Sequence, residues 1–267
     1  MAEPLPFDPD RPLAGLGVLV SRPRERAVPI LREIRAAGGE AWWLPGVEIA
    51  PPPDAQALAQ ALAALPEQDW AIFVSPTAVE QAWPAITRAH GGWPAAVRAA
   101  AVGRATARAL ARHGVPEVLA PPGQADSEAL LALPQLQQLQ ARKVMIFRGV
   151  GGRTLLADTL AARGAQVSHA VCYRRVPPQG VDVERVLAAW RAGRIDLTLV
   201  YSRESLDGLM LLLDAEGQRL LQRTPMLVPH PRIAEHARAL GVQSVEVMAA
   251  EAPLASTLIE RMAHVRH

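Results

Sequence analysis

Six short turns along this chain combine hydroxyls, glycines and arginines in a way that suits an anionic ligand. They are Ser21-Arg22-Pro23, Ser75-Pro76-Thr77, Gly103-Arg104-Ala105-Thr106, Arg148-Gly149-Val150-Gly151-Gly152-Arg153, Ser202-Arg203-Glu204-Ser205 and Pro229-His230-Pro231-Arg232. Each follows a short apolar run, and most precede a helical one. A Ser or Thr in such a place is ordinarily an N-cap, its oxygen accepting an amide N–H of the first helical turn. The other N–H groups at a helix start can hold a carboxylate or phosphate. Arginine adds a planar fork of donors that matches the same groups. Any single turn is explained by capping alone. Taken together, Arg22, Arg104, Arg148, Arg153, Arg203 and Arg232 suit a ligand bearing several negative groups.

Other chemistry finds little equipment. The seven histidines form no HExxH pair and lack carboxylates at ligand spacing, so no metal site is expected. The turn at 149–152 reads GVGG, which is not the dinucleotide spacing, and no Walker A segment occurs. No G-x-S-x-G elbow is present, and Cys172 sits inside an apolar strand, where an inert thiol is expected. Two tyrosines exist, Tyr173 and Tyr201. Tyr173 ends an apolar run just before Arg174 and Arg175. In an arginine-rich site its phenol can donate a proton to a leaving hydroxyl, or its ring can simply anchor a strand end.

The elements that must position these residues repeat. Gly17-Val-Leu-Val-Ser-Arg22, a helical stretch, Gly38-Gly39 and the run Ala41 to Leu44 make one unit. Lys143-Val-Met-Ile-Phe-Arg148, a helical stretch, Gly164 and Val167 to Tyr173 make its copy. Ala71 to Ser75 with the helix after it matches Leu197 to Ser202, and Ala100 to Gly103 matches Met226 to Pro229. Ser127 to Leu130 matches Ala255 to Leu258. The first three pairs keep a spacing of about 126 or 127 residues. Short apolar strands alternating with amphipathic helices predict parallel sheets covered by helices on both faces. Gly38, Gly114, Gly164 and Gly241 fit C-terminal helix stops. In such α/β folds ligands bind at the carboxyl ends of the strands, where all six turns would lie, lining one cleft.

Composition fits a soluble, two-lobed protein. The chain has 267 residues, half of them hydrophobic, and a net charge of +2. The pI near 9.2 reflects arginine, since Lys143 is the sole lysine. One cysteine rules out an internal disulfide. The first dozen residues lack an apolar signal core, and no apolar run reaches membrane-spanning length. A cytoplasmic protein is expected, with no membrane and no nucleic-acid partner.

Over nearly its whole length the chain resembles the uroporphyrinogen-III synthase family. The resemblance rests on FVSPTAVE (73–80), AVGRATARAL (101–110), DSEALLALP (126–134), KVMIFRGVGGRTLLADTLAARGAQV (143–167), YRR (173–175) and VPHPRIAEHARALG (228–241). It implies two doubly wound, flavodoxin-like parallel-sheet lobes joined by a two-stranded β-ladder. One lobe would hold residues 1–50 with 177–267, the other 51–176, so that each first-half unit joins copies from the second half. The implied reaction closes hydroxymethylbilane, a linear tetrapyrrole with eight carboxylates, to uroporphyrinogen III. The terminal hydroxyl leaves as water and ring D is inverted, without metal or organic cofactor. Tyr173 matches the family tyrosine thought to assist that departure, and Ser75, Ser202 and Thr106 match cleft residues. The substrate-binding set implied by the turns and the resemblance comprises Arg22, Ser75, Thr77, Gly103, Thr106, Arg148, Gly149, Gly152, Arg153, Ser202, Ser205, His230 and Arg232. Thr77 stands where other members carry arginine, and Arg232 where some carry threonine. A monomer is implied, and a transient contact with hydroxymethylbilane synthase stays open. Two other classes remain: a two-lobed binder of anions without chemistry, and a nucleotide-dependent transferase.

Overall fold

The computed structural model describes residues 10–123, 126–152 and 154–248. Arg153 and the segment Ala255 to Leu258 lie outside them. The chain runs β1 (Gly17–Ser21), α1 (Arg24–Ala36), β2 (Glu40–Trp43) and β3 (Glu48–Ala50). It continues through α2 (Ala55–Ala63), β4 (Trp70–Phe73), α3 (Pro76–His90), β5 (Arg98–Ala101), α4 (Arg104–Arg112), β6 (Val118–Leu119) and α5 (Ser127–Leu131). Next come β7 (Lys143–Gly149), α6 (Leu155–Ala162) and the long β8 (Gln166–Val176). The last described stretch holds α7 (Val183–Arg191), β9 (Leu197–Val200), α8 (Arg203–Leu212), α9 (Ala215–Arg223), β10 (Met226–Val228), α10 (Pro231–Ala239) and β11 (Val245–Val247).

Two compact units result. Unit 1 runs to Glu48 and resumes at Val176; unit 2 is Ile49–Arg175. The chain thus changes unit within β3 and within β8, just ahead of the proline runs at 51–53 and 177–178. The two strands are hydrogen-bonded neighbours in the six-stranded sheet.

Unit 1 holds a five-stranded sheet in the order β2-β1-β9-β10-β11, every neighbouring pair parallel. Read along the unit's own chain, that is the 2-1-3-4-5 order of flavodoxin-like sheets. Unit 2 has the same spatial arrangement, β8-β7-β4-β5-β6 and again parallel, but along its own chain these strands read 5-4-1-2-3, a circular permutation, with β3 added beyond β8. β1 therefore lies beside β9, and β7 beside β4, each pair drawn from opposite halves of the sequence.

The strands are nearly continuous apolar runs because both sheet faces are covered. In β1, Leu19 enters the core packed by α7, α8, α9 and α10, while Val18 and Val20 enter the one formed with Ala27, Ile30 and Ile34 of α1. In unit 2, Phe73 and Phe147 stack at 4.2 Å under α2, α3 and α4. Ile72 and Ile146 face α5 and α6 on the other side. Helices α1, α4, α6 and α10 are followed within two residues by Gly38, Gly114, Gly164 and Gly241, all at positive φ, as a left-handed helix stop requires.

One fastening is duplicated. The Asp69 carboxylate accepts the N–H of Lys143 at 2.8 Å, and the Asp69 N–H donates to the Lys143 carbonyl. Asp196 does the same with Gly17, at 2.7 and 2.8 Å. Each aspartate ties the loop before a central strand to the first residue of the strand beside it.

Candidate active site

Because each sheet is parallel, its helix-starting turns share one edge. In unit 2 that edge begins at Ser75, which follows β4. Its Oγ accepts the Ala78 N–H at 3.1 Å and caps α3, with Pro76 at the first helical position where its missing N–H costs nothing. Thr77 is half-buried beside it. Gly103 starts α4 and brings no side-chain cap, while Thr106 lies buried in the first turn of that helix. At the end of β7 a register shift between Arg148 and Gly149 opens the glycine turn. Gly151 and Gly152 adopt φ of +74° and +90°, which favour glycine. The Arg148 guanidinium folds back on the carbonyl oxygens of Gly149 and Gly151. A cavity of about 370 Å³ beside this turn is lined by Arg148, Gly149, Gly151, His169, Asp54 and Leu58, among others.

Tyr173 is the centre of this edge. Its ring is buried, only 1% exposed, and packs so closely on Gly149 that a methyl group there would sit 2.7 Å from it. Ser75 Oγ lies 3.4 Å from the phenolic oxygen, and Arg175 Nη2 lies 3.3 Å from it. Both distances exceed those of a tight hydrogen bond, so the phenol is surrounded by polar groups without being committed to one. Arg175 is exposed and reaches over the ring, its guanidinium carbon 5.4 Å from the centroid.

The same edge of unit 1 is built differently. Ser202 caps α8 by accepting the Ser205 N–H at 3.1 Å. Ser205 itself is buried and donates its hydroxyl to the Ser21 carbonyl at 2.6 Å, locking the start of α8 to the end of β1. Its side chain is thereby occupied by the framework. His230 caps α10 with Nδ1 accepting the Arg232 N–H at 3.1 Å, and the Arg232 side chain is exposed. Arg22 follows β1, its guanidinium carbon 4.0 Å from the centroid of the Tyr201 ring. Burial pushes the Arg22 pKa down and the Tyr201 pKa up.

The structure thus brings Ser75 and Gly149 against Tyr173, keeps Arg148 in the adjoining glycine turn, and sets Arg22, Ser202 and His230 along the edge of the other unit. Two residues outside the expected set join them. Arg175 stood within the quoted YRR segment, and Tyr201 immediately precedes the capping Ser202. Their sequence signals were position beside a strand-end turn; their contacts depend on the fold. Cys172 is buried, its thiol pushed up to about 12 by desolvation, which makes it a poor nucleophile. Among the described residues no group of three or more His, Cys, Asp and Glu side chains is placed to hold a metal ion. No helix among them is long and apolar enough to cross a membrane.

The fold defines a class: an α/β protein of two compact units, each built on a parallel sheet whose strands end in polar or glycine turns. The family model described as uroporphyrinogen-III synthase HemD matches residues 29–259. The chain belongs to the uroporphyrinogen-III synthase family. It is 34% identical over 233 residues to the uroporphyrinogen-III synthase of Escherichia coli (strain K12), spanning 87% of this chain and 94% of that protein. The Salmonella typhimurium synthase is 35% identical over the same spans. The fold is shared with a solved mutant uroporphyrinogen III synthase from the extremely thermophilic bacterium Thermus thermophilus (TM-score 0.64, 21% identity, 94% of this chain and 99% of that one).

Proposed function

We propose that this chain is a cyclising lyase that converts hydroxymethylbilane to uroporphyrinogen III, with loss of water and inversion of ring D, in tetrapyrrole biosynthesis. Family membership across almost the full length of the Escherichia coli enzyme carries the reading. The unit 2 edge supplies a chemical role for it. Tyr173 donates its proton to the departing hydroxyl of the substrate, the carbon–oxygen bond breaks toward oxygen, and water leaves. The phenolate left behind is stabilised by the neighbouring guanidinium of Arg175 and the hydroxyl of Ser75, both already within 3.4 Å. The substituted carbon of ring D then attacks the carbon that lost the hydroxyl to give a spiro intermediate, and its old bond to the neighbouring methylene breaks. The free carbon of the inverted ring D closes onto that methylene, and the proton lost as the pyrrole is restored returns to the Tyr173 phenolate. What remains for the protein is orientation of a long flexible chain, which can supply much of the rate.

The carboxylates are held, in this reading, by Arg22, Arg148, Arg153 and Arg232, by the hydroxyl-bearing caps Ser75 and Ser202, and by the starts of α3, α4, α8 and α10. Thr77, Gly103, Gly149, Gly152, Thr106, Ser205 and His230 shape those turns. No cofactor takes part. The enzyme works as a cytoplasmic monomer that meets hydroxymethylbilane synthase only in passing, and its single cysteine fits a reducing compartment.

Incubation of the purified chain with hydroxymethylbilane tests the function. The expected product is the type III ring. A binder without chemistry leaves the spontaneous type I closure, and that result would overturn the proposal.

A further inference from the structure

Arg22 and Arg148 occupy matching places, one just after β1 and the other near the end of β7, yet the two guanidiniums are treated differently. Arg148 is satisfied by carbonyl oxygens of its own turn. Among the described residues, no oxygen accepts from the Arg22 guanidinium and no carboxylate pairs with it; its neighbours are the Tyr201 ring at 4.0 Å and a second cation, Arg26. A half-buried cation without an anion is costly unless a ligand completes it.

The surroundings fix this arginine in place. Trp43 Nε1 donates to the Arg22 carbonyl at 2.9 Å, and Ser205 holds the preceding carbonyl of Ser21. Tyr201 follows β9 directly and its ring lies half-buried in the core beneath α1. An aromatic face under a guanidinium attracts it without using its N–H groups, which all lie in the guanidinium plane and stay free for a planar acceptor. The matching residue after β4 in unit 2 is Val74, so the duplicated framework does not itself demand a ring here.

We propose that Tyr201 is a positioning residue, whose ring face holds the Arg22 fork ready to grip one carboxylate of the substrate. The proposal rests on the reading of the chain as a synthase acting on a polycarboxylate. Tyr201 touches no reacting atom; it acts through Arg22 on substrate capture.

Steady-state kinetics on hydroxymethylbilane test it with three variants. Tyr201→Leu removes the ring face and is expected to raise KM about 3- to 30-fold with kcat changed less than about twofold. Tyr201→Phe keeps the face and recovers most of that loss. Arg22→Lys keeps the charge but loses the fork, and raises KM as Tyr201→Leu does. An unchanged KM in Tyr201→Leu, equal damage from Leu and Phe, or a fall in kcat alone overturns the proposal. If Tyr201→Leu does not fold, the KM of Arg22→Lys decides. Should the wild-type chain make no type III ring, the functional reading fails separately. The same variants titrated with uroporphyrin III, an octacarboxylate, then settle the anchor: binding weakened in Leu and restored in Phe supports it, and equal binding ends it.

Discussion

Units 1 and 2 share a framework and differ at the edge where chemistry is expected. In unit 2 the strand ends surround a phenol: Tyr173 sits against Gly149, with Ser75 and Arg175 near its hydroxyl. In unit 1 they present a cation: Arg22 stacked on Tyr201, its donors unspent. Residues at matching places explain the divergence. Val74 stands opposite Tyr201 in the repeat, so unit 2 has no ring under Arg148, whose guanidinium turns back on its own loop instead. The two units thus present different side chains on matching strand ends, a buried phenol in one and a guanidinium over a tyrosine ring in the other.

The same contrast runs through the framework itself. The first residue of β1 is Gly17, whereas the first of β7 is Lys143. A methyl group on Gly17 would lie 1.8 Å from the Arg194 carbonyl oxygen. Lys143 has room for its side chain and pairs with Glu67 at 3.1 Å on the surface. Gly17→Ala should therefore break unit 1 packing at a cost of about 3–5 kcal/mol, while Lys143→Ala costs less than about 1 kcal/mol. Urea denaturation, with amide exchange to locate the loss in unit 1, checks both. A mild Gly17→Ala would mean that the loop at Arg194 yields easily and that the two units tolerate the same residues.

Tyr173→Phe sharpens the chemical side. It keeps the ring on Gly149 and removes only the proton, so product formation should slow about 10- to 1,000-fold with the fold intact. An unchanged rate would return Tyr173 to the role of a strand anchor and leave the units chemically alike.

The smallest effect concerns the feature that the units share. The backbone N–H of Lys143, and after it the Arg142 guanidinium, hold the Asp69 carboxyl below the usual carboxylate range. A carboxylate lowered on folding stabilises the fold above its unfolded value, near 3.9, and that contribution is lost as pH falls through the folded value. Asp69→Asn should cost about 1 kcal/mol at pH 7, and the gap to wild type should narrow progressively as the pH falls below about 4. Thermal melts of both proteins at pH 7 and pH 3.5 measure it. A gap that persists in acid would show that shape rather than charge makes the staple.

Much of the local structure was legible in the sequence. The four glycine helix stops, the capping roles of Ser75 and Ser202, and the strands at 17, 143, 197 and 226 follow from residues within a few positions of one another. The repeat-based reading assigned nothing to α2, α7 or α9, although Asp54, Asp182 and Asp214 cap them as ordinary helix starts do. Of these, α2 and α7 are counterparts at close to the spacing of the repeat, their caps Asp54 and Asp182 lying 128 residues apart, and only α9 has no partner. β8 also runs to Val176, past the expected end at Tyr173.

What the sequence by itself determined is therefore the set of elements, their order and the edge on which polar turns fall, because propensity, capping and periodicity act over a few residues. Which apolar run lies beside which was decided by the tertiary structure. β1 and β7 are near-equivalent strands, and nothing local tells β9 to choose β1 or β4 to choose β7. That choice places Arg22 against Tyr201, far along the chain, Ser21 against Ser205, and Asp196 against Gly17. Stacking, hydrogen bonding and burial act only at contact distance, so the roles of these side chains exist only once the sheet has paired.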